Sequence, residues 1–282
     1  MMATPEQLKE IVRLKYSEIA LQSKEENAAS CCGAGGCSTE VYNIMTDDYT
    51  GQEGYEPDAD LGLGCGLPTQ FAKIGQGDVV IDLGSGAGND CFIARAMTGE
   101  TGKVIGIDFT PAMIDKARTN AEKLGYHNVE FRQGDIEKMP VSANVADVVV
   151  SNCVLNLVPD KNAVIKEIFR VLKPGAHFSI SDIVLEGELP SNIREAAEMY
   201  AGCVSGAIQK ETYLGFIRQA GFENITIQKE KKIIIPDDIL RNYLDAATLE
   251  AFKQSDTGVY SITVYAEKPQ ETAACCGPDC CK

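Results

Sequence analysis

The residues of this 282-residue chain with the most chemistry to offer are its eleven cysteines. Seven stand in two groups, Ser30-Cys31-Cys32-Gly33-Ala34-Gly35-Gly36-Cys37 and Cys275-Cys276-Gly277-Pro278-Asp279-Cys280-Cys281, and three stand singly in Gly64-Cys65-Gly66-Leu67-Pro68, Ser151-Asn152-Cys153 and Tyr200-Ala201-Gly202-Cys203. The number is odd, and the chain is too large and too little loop-like for a disulfide scaffold. Such thiols fill cores, carry redox chemistry, or bind soft metals and metalloids in preference to Mg²⁺ or Ca²⁺. Packing does not call for paired cysteines in glycine-rich company. A free thiol has a pKa of about 8.5, so thiolate binding near neutrality must expel protons. His127 and His177 are too few and too isolated for a zinc hydrolase.

A second motif handles a different ligand. Asp82-Leu83-Gly84-Ser85-Gly86-Ala87-Gly88 follows a short apolar strand and opens a helix, so its glycines let the backbone turn sharply and approach a ligand. The spacing is GxGxG; a dinucleotide fingerprint needs GxGxxG, and Asn89 stands where its last glycine belongs. Asp108 ends the next strand about 20 residues beyond Gly88, the interval at which an acid accepts from ribose hydroxyls. Gly134-Asp135-Ile136 ends the third strand, where a carboxylate can accept from an adenine amino group. Tight turns and helix-capping acids are the competing reading of the same residues.

These motifs need elements to hold them. Residues 5–21 read as an amphipathic helix, with Thr4 and Gln7 at capping-box spacing, Pro5 at its first position and a stripe of Leu8, Ile11, Val12, Tyr16 and Ile19. A polar stretch to about residue 68 reads as a mobile flap, its aspartates between 47 and 60 as solvated surface. From residue 78 strands (78–82, 103–108, 129–132, 147–151, 177–183) alternate with helices (about 88–97, from Thr110-Pro111 to Gly125, and from Asp160 to Lys173-Pro174-Gly175). That rhythm means a parallel sheet covered on both faces. Residues 186–210 read as a helical lid, followed by a helix over 211–220 and strands near 222–230 and 257–266. The division expected is 1–67 helix and flap, 68–184 ligand-binding core, 185–268 lid and remaining strands, and 269–282 a disordered cysteine tail.

Lys+Arg 26 against Asp+Glu 41 gives a net charge of −15, which disfavours nucleic acid and anionic membranes. No apolar run approaches the ~18 residues of a spanning helix, and the first residues lack the blocks of a signal peptide. A soluble, cytoplasmic protein is expected.

The glycine loop, Asp108 and Asp135-Ile136 resemble the class I S-adenosylmethionine-dependent methyltransferases over about residues 68–267. The resemblance implies an α/β, Rossmann-like fold: a seven-stranded, mostly parallel sheet whose last strand runs antiparallel. It also implies that S-adenosylmethionine is the co-substrate and that no metal ion is obligatory. Gly84, Gly86 and Gly88 would then lie against its methionine portion, Asp108 would hold the ribose and Asp135-Ile136 the adenine. Asp82, Phe109 and Asn152 would complete the donor site. Ligands of such sheets bind beyond the carboxyl ends of the strands, which puts Cys153, after strand four, beside the donor. A thiol is unusual there; with Gly64-Cys65-Gly66 and Gly202-Cys203, it resembles arsenite methyltransferases specifically. Longer members of that family carry a further carboxyl-terminal domain, and this chain is similar to a short form without it.

Trivalent arsenic takes three thiolates in a pyramid and keeps a lone pair, which can attack a sulfonium methyl in line without a general base. Cys153 and Cys203 are expected as the core pair, Cys65 as the third ligand on a closing loop, and Cys31 or Cys32 in an earlier capture or disulfide step. Arsenite and its methylated trivalent products, as thiol adducts, and a thiol reductant such as thioredoxin or glutathione are the partners the resemblance implies. Plainer readings compete. Cys153 and Cys203 are small enough to be ordinary core residues, Cys91 is read as packing, and Cys37 is undecided. Tyr16 is read as helix stripe, although the family folds its first helix over the donor. The Cys275–Cys281 tail divides evenly between metalloid handling and no role. The competing functions are a methyltransferase for a small organic acceptor and a non-catalytic thiolate module for metalloids.

Overall fold

The computed structural model describes residues 4–22, 48–188, 206–233, 240–241, 244–254 and 257–271. Cys31, Cys32, Cys37, Cys203, most of the expected lid and the cysteine tail lie outside them. The strands are β1 (Val79–Leu83), β2 (Lys103–Asp108), β3 (Val129–Gln133), β4 (Ala146–Asn152), β5 (Leu172–Glu186), β6 (Ile208–Gln209), β7 (Glu223–Ile233) and β8 (Gly258–Glu267). The helices are α1 (Pro5–Ala20), α2 (Pro68–Phe71), α3 (Asn89–Thr98), α4 (Pro111–Leu124), α5 (Lys161–Val171), α6 (Lys210–Gln219) and α7 (Ala246–Gln254).

Alternation along the strands builds two cores. Ile81 and Leu83 of β1 face a cluster with Ile105, Ile107, Val164, Ile165, Ile168, Leu214 and Ile217. Val80, from the other side of the same strand, joins Val104, Val148, Phe92, Met113, Ile114 and Ala117. Helices α5 and α6 therefore cover one face, α3 and α4 the other, as a sheet of strands buried on both sides requires. The strand order is β3-β2-β1-β4-β5-β8-β7, with β6 pairing β5 and β8 antiparallel to both its neighbours. This is the Rossmann-like arrangement with one extra two-residue strand. The strand order reverses between the parallel neighbours β1 and β4, so the crevice at their carboxyl ends is where a ligand belongs.

Local signals account for the boundaries. Thr4 N donates to Gln7 Oε1 at 2.8 Å and Gln7 N to Thr4 Oγ1 at 3.3 Å, closing the capping box of α1. Gly125, left-handed at φ 66°, stops α4. Strand β5 starts at Leu172, directly after α5, and takes in Pro174 and Gly175, which read in sequence as a terminator. Helix α7 is, with α2 and β6, an element that sequence patterning misses. Its apolar face amounts to Leu249 and Phe252, too short a stripe for periodicity, and only Asp245, accepting from Thr248 N at 2.8 Å, marks its start.

The polar stretch before the sheet departs from expectation. Where it is described it is packed: Tyr49, Ala59, Leu61, Cys65 and Leu67 are buried. Asp60, expected on a solvated surface, is 8% exposed and accepts from Tyr55 Oη and Gly62 N at 3.0 Å each. Burial of flanking apolar residues drags this carboxylate in, and local donors satisfy it. No helix among the described residues is long and apolar enough to cross a membrane.

Candidate active site

The glycine loop sits at the carboxyl end of β1. Gly84 N and Ser85 N both donate to Ile107 O, at 2.7 and 3.0 Å, which ties the loop to β2. Gly84 and Gly86 have φ of 67° and 50°, and a Cβ on Gly86 would meet nothing within 4 Å. The backbone therefore turns left-handed and leaves room for a ligand to approach. Asp108 closes the turn from the β2 side, its Oδ2 accepting from Gly86 N at 3.0 Å and its Oδ1 from Thr110 N at 2.8 Å. Burial pushes its pKa up against the pull of these amides. A carboxylate has about four acceptor sites, so two remain for vicinal hydroxyls.

Around this loop opens a cleft of about 1080 Å³, its mouth included. Lys9, Val12 and Tyr16 of α1 form one wall, so Tyr16 both serves the helix stripe and faces the ligand space. Asp60, Asp82, Asp90, Asp108 and Asp135 line it, against Lys9 as the basic residue among the described lining. That charge suits a cationic nucleoside such as S-adenosylmethionine, and the open backbone at Gly86 suits its amino-acid end. Asp135 reaches the cleft already engaged: Oδ1 accepts from Glu137 N at 2.9 Å and Oδ2 from Lys9 Nζ at 2.7 Å. Lys9 also contacts Glu137, latching α1 to the segment that carries buried Ile136. Phe109 lines the same cleft. Asp82 is buried and accepts from Cys91 Sγ at 3.2 Å; burial and the nearby Asp90 push its pKa well up. Cys91 itself is fully buried, its pKa raised by burial and Asp82, as a packing residue should be.

Two of the expected ligand cysteines come together. Cys153 follows β4 in a left-handed conformation (φ 61°), its N–H donating to Ser181 O at 2.8 Å. Cys65 N donates to Asn152 Oδ1 at 3.0 Å, and its carbonyl accepts from Ser261 Oγ at 2.6 Å. Both are buried, and both belong to one cluster with Val12, Leu157, Ile183 and Ala207 that abuts the cleft. Asn152, expected on the donor, lines the cleft and also reaches the Cys65 loop. Its Nδ2 donates to Gly66 O at 2.9 Å and to Asp90 Oδ2 at 3.2 Å.

Next to this cluster lies a buried polar group that sequence reasoning did not single out. Asp182 of β5 accepts from Asn156 Nδ2 at 2.8 Å, Ile183 N at 2.9 Å and Tyr213 Oη at 3.4 Å. Burial pushes Asp182 up to about 7, against the lowering pull of Ile183 N–H, Lys161 and Tyr213. Tyr213 is raised by burial and by Asp182, with smaller contributions from Cys65 and Cys153. A carboxyl whose folded pKa is raised stabilises the protein fully below its ordinary pKa, and that stability is lost as pH rises through the folded value. Asp182 should therefore weaken the fold as pH climbs from about 4 to above 7. At ~1.4 kcal/mol per pH unit the loss is of order 4 kcal/mol. Asn mimics the protonated form, so Asp182→Asn should gain on the wild type between pH 5 and pH 8. Urea midpoints at both pH values measure it; a constant difference removes Asp182 as the titrating group.

Other residues were equally hidden in the sequence. Tyr49, Asp90 and Lys9 reach the cleft through contacts distant in sequence, while Asp60 is held by Tyr55 and Gly62; only Asp90, two residues past Gly88, carries a local hint.

A family described as "Methyltransferase domain" matches residues 74–221. The arsenite methyltransferase of Halobacterium salinarum is 41% identical over 268 residues, covering 88% of this chain and 67% of the relative. That of Aquipseudomonas alcaligenes is 30% identical over 257 residues, covering 86% of this chain and 72% of the relative. Among solved structures, CrArsM, an arsenic (III) S-adenosylmethionine methyltransferase from Chlamydomonas reinhardtii, superposes with a TM-score of 0.62 at 31% identity. That match covers 81% of this chain and 73% of the other. With a methyltransferase sheet, a glycine loop closed by Asp108 and the buried Cys153 lining the cleft, the chain belongs to the S-adenosylmethionine-dependent arsenite methyltransferase family.

Proposed function

We propose that this enzyme transfers methyl groups to trivalent arsenic held by Cys65, Cys153 and Cys203, the chemistry of arsenic detoxification. The observation that carries the reading is the meeting of Cys65 and Cys153, 88 positions apart, in one buried cluster beside the glycine-loop cleft. Ala207, four positions beyond Cys203, is buried in that cluster too. S-adenosylmethionine, when bound, supplies an electrophilic sulfonium methyl. Asp108 holds the ribose, the Gly84–Gly86 backbone admits the methionine end, and Ile136 with Asp135 borders the adenine. Arsenite loses its hydroxyls as water when thiol protons transfer to them, and the thiolates bind the arsenic. The thiolate pyramid points the arsenic lone pair toward the methyl, so no side chain has to remove a proton. Fixed orientation in a pocket shielded by Val12 and Leu157 is the main catalytic resource, worth up to ~7–11 kcal/mol. Alkylation of the lone pair oxidises arsenic by two electrons, so a thiol reductant such as thioredoxin or glutathione returns them. Cys31 or Cys32 serves the earlier capture or disulfide step.

The test incubates the enzyme with methyl-labelled S-adenosylmethionine, arsenite and glutathione and resolves the arsenic species formed. Label in methylated arsenicals is the expected result. Label confined to organic acceptors, with arsenite unchanged, overturns the reading.

A further inference from the structure

We infer that Tyr49, Asp90 and Asn152 form a clamp that positions Cys65 as the third arsenic ligand, an inference that rests on the thiolate reading above. The three residues come from different parts of the chain. Tyr49 lies in the segment before the sheet, Asp90 in the first turn of α3 just beyond the glycine loop, and Asn152 at the end of β4 beside Cys153. They converge on one backbone stretch. Asn152 Oδ1 accepts from Cys65 N at 3.0 Å, and Asn152 Nδ2 donates to Gly66 O at 2.9 Å, so a single amide holds the backbone of the Cys65-Gly66 step at both ends. Tyr49 Oη lies within hydrogen-bond distance of Gly66 O (3.1 Å) and of Asp90 Oδ2 (3.0 Å), and it also contacts Asn152 Nδ2. Asp90 Oδ2 accepts from Asn152 Nδ2 at 3.2 Å, fixing which way the amide faces.

The approach is close enough to require glycine. A Cβ on Gly64 would stand 2.6 Å from Asn152 Nδ2, and one on Gly66 2.5 Å from Ser181 Oγ. A mere core filler at position 65 needs no such grip on its backbone. A metalloid ligand does, because three sulfurs must meet one small atom, and displacements of about 1 Å can cost ~10²-fold in rate. The clamp also links that ligand to the donor loop, since Asp90 opens the helix that the loop feeds.

Chemistry supplies a readout specific to Cys65. Inorganic arsenite has three exchangeable oxygens and can use three thiolates; a monomethylated trivalent arsenical has two and can use only two. Loosening the third ligand therefore handicaps arsenite more than the methylated arsenical. Tyr49→Phe removes the hydroxyl without changing the ring, and Asn152→Asp keeps the shape while turning the donor toward Gly66 O into an acceptor. For both, kcat/KM for arsenite relative to monomethylarsonous acid should fall by about tenfold, the scale of one lost charge-assisted hydrogen bond. Without arsenic or donor present, mass spectrometry should show faster alkylation of Cys65 relative to Cys91. An unchanged Cys65-to-Cys91 alkylation ratio in both folded variants overturns the clamp, as does an equal fall on both arsenicals. If the wild type methylates no arsenical, the functional reading fails while the alkylation ratio still decides the clamp.

Discussion

Replacing Cys153 with serine should lower arsenite methylation by about a hundredfold or more while leaving the fold and donor binding in place. The substitution exchanges one chalcogen for another in an unchanged outline. The left-handed backbone at φ 61° costs serine no more than cysteine, and the N–H to Ser181 O bond involves no side chain. Burial at 4% exposure leaves a small hydroxyl in an apolar cluster, a loss of about 1–3 kcal/mol in stability if it finds no partner. What changes is softness: a hydroxyl does not ionise near neutrality and binds arsenic far less tightly than a thiolate does. A pyramid missing one side also points the lone pair badly, so orientation suffers with affinity. Steady-state assays with arsenite, donor titrations and thermal midpoints for wild type and variant decide it. Retention of more than a tenth of the wild-type kcat/KM, with donor binding equal, removes Cys153 from the ligand set.

What the sequence disclosed follows from how local each feature is. The glycine loop and Asp108 are legible because strand, turn, helix and the acid on the next strand are coded in short contiguous runs. Topology then placed Cys153 at the cleft without any contact being known. Tyr49 stayed hidden because nothing near it in sequence distinguishes it from a residue of a polar loop; its role exists only through Asp90 and Asn152. Asp60 and Asp182 were misread or overlooked for a related reason. Carboxylates usually mark surface, and only the surrounding burial and donors reveal the exceptions. Lys9 lies off the apolar stripe of α1 and carries no local signal, yet it pairs with Asp135 across 126 positions and lines the cleft. The polar stretch looked too hydrophilic to pack by itself. It packs because the completed sheet and α3 offer Tyr49 and Leu67 an apolar surface around Ile93.

Asp108→Ala should separate the two substrates. The carboxylate holds Gly86 N and Thr110 N, at 3.0 and 2.8 Å, and in the proposed donor site its remaining acceptor positions take the ribose hydroxyls. Alanine leaves two backbone amides without their acceptor and releases the loop where the donor approaches closest. Hydrogen bonds to a charged group contribute about 1.5–3 kcal/mol each, so losing two of them to the donor weakens its binding roughly a hundredfold or more. Arsenic binding should survive, because the backbone bonds that hold Cys65 and Cys153 go to Asn152, Ser261 and Ser181, whereas those of Asp108 go to Gly86 and Thr110. Calorimetric titration with S-adenosylhomocysteine and, separately, with arsenite reads both affinities on the same preparation. Unchanged nucleoside affinity rejects the ribose role. Parallel loss of both affinities with an unchanged thermal midpoint would mean that the loop and the thiols form one indivisible site, since a carboxylate confined to the ribose has no route to the sulfurs.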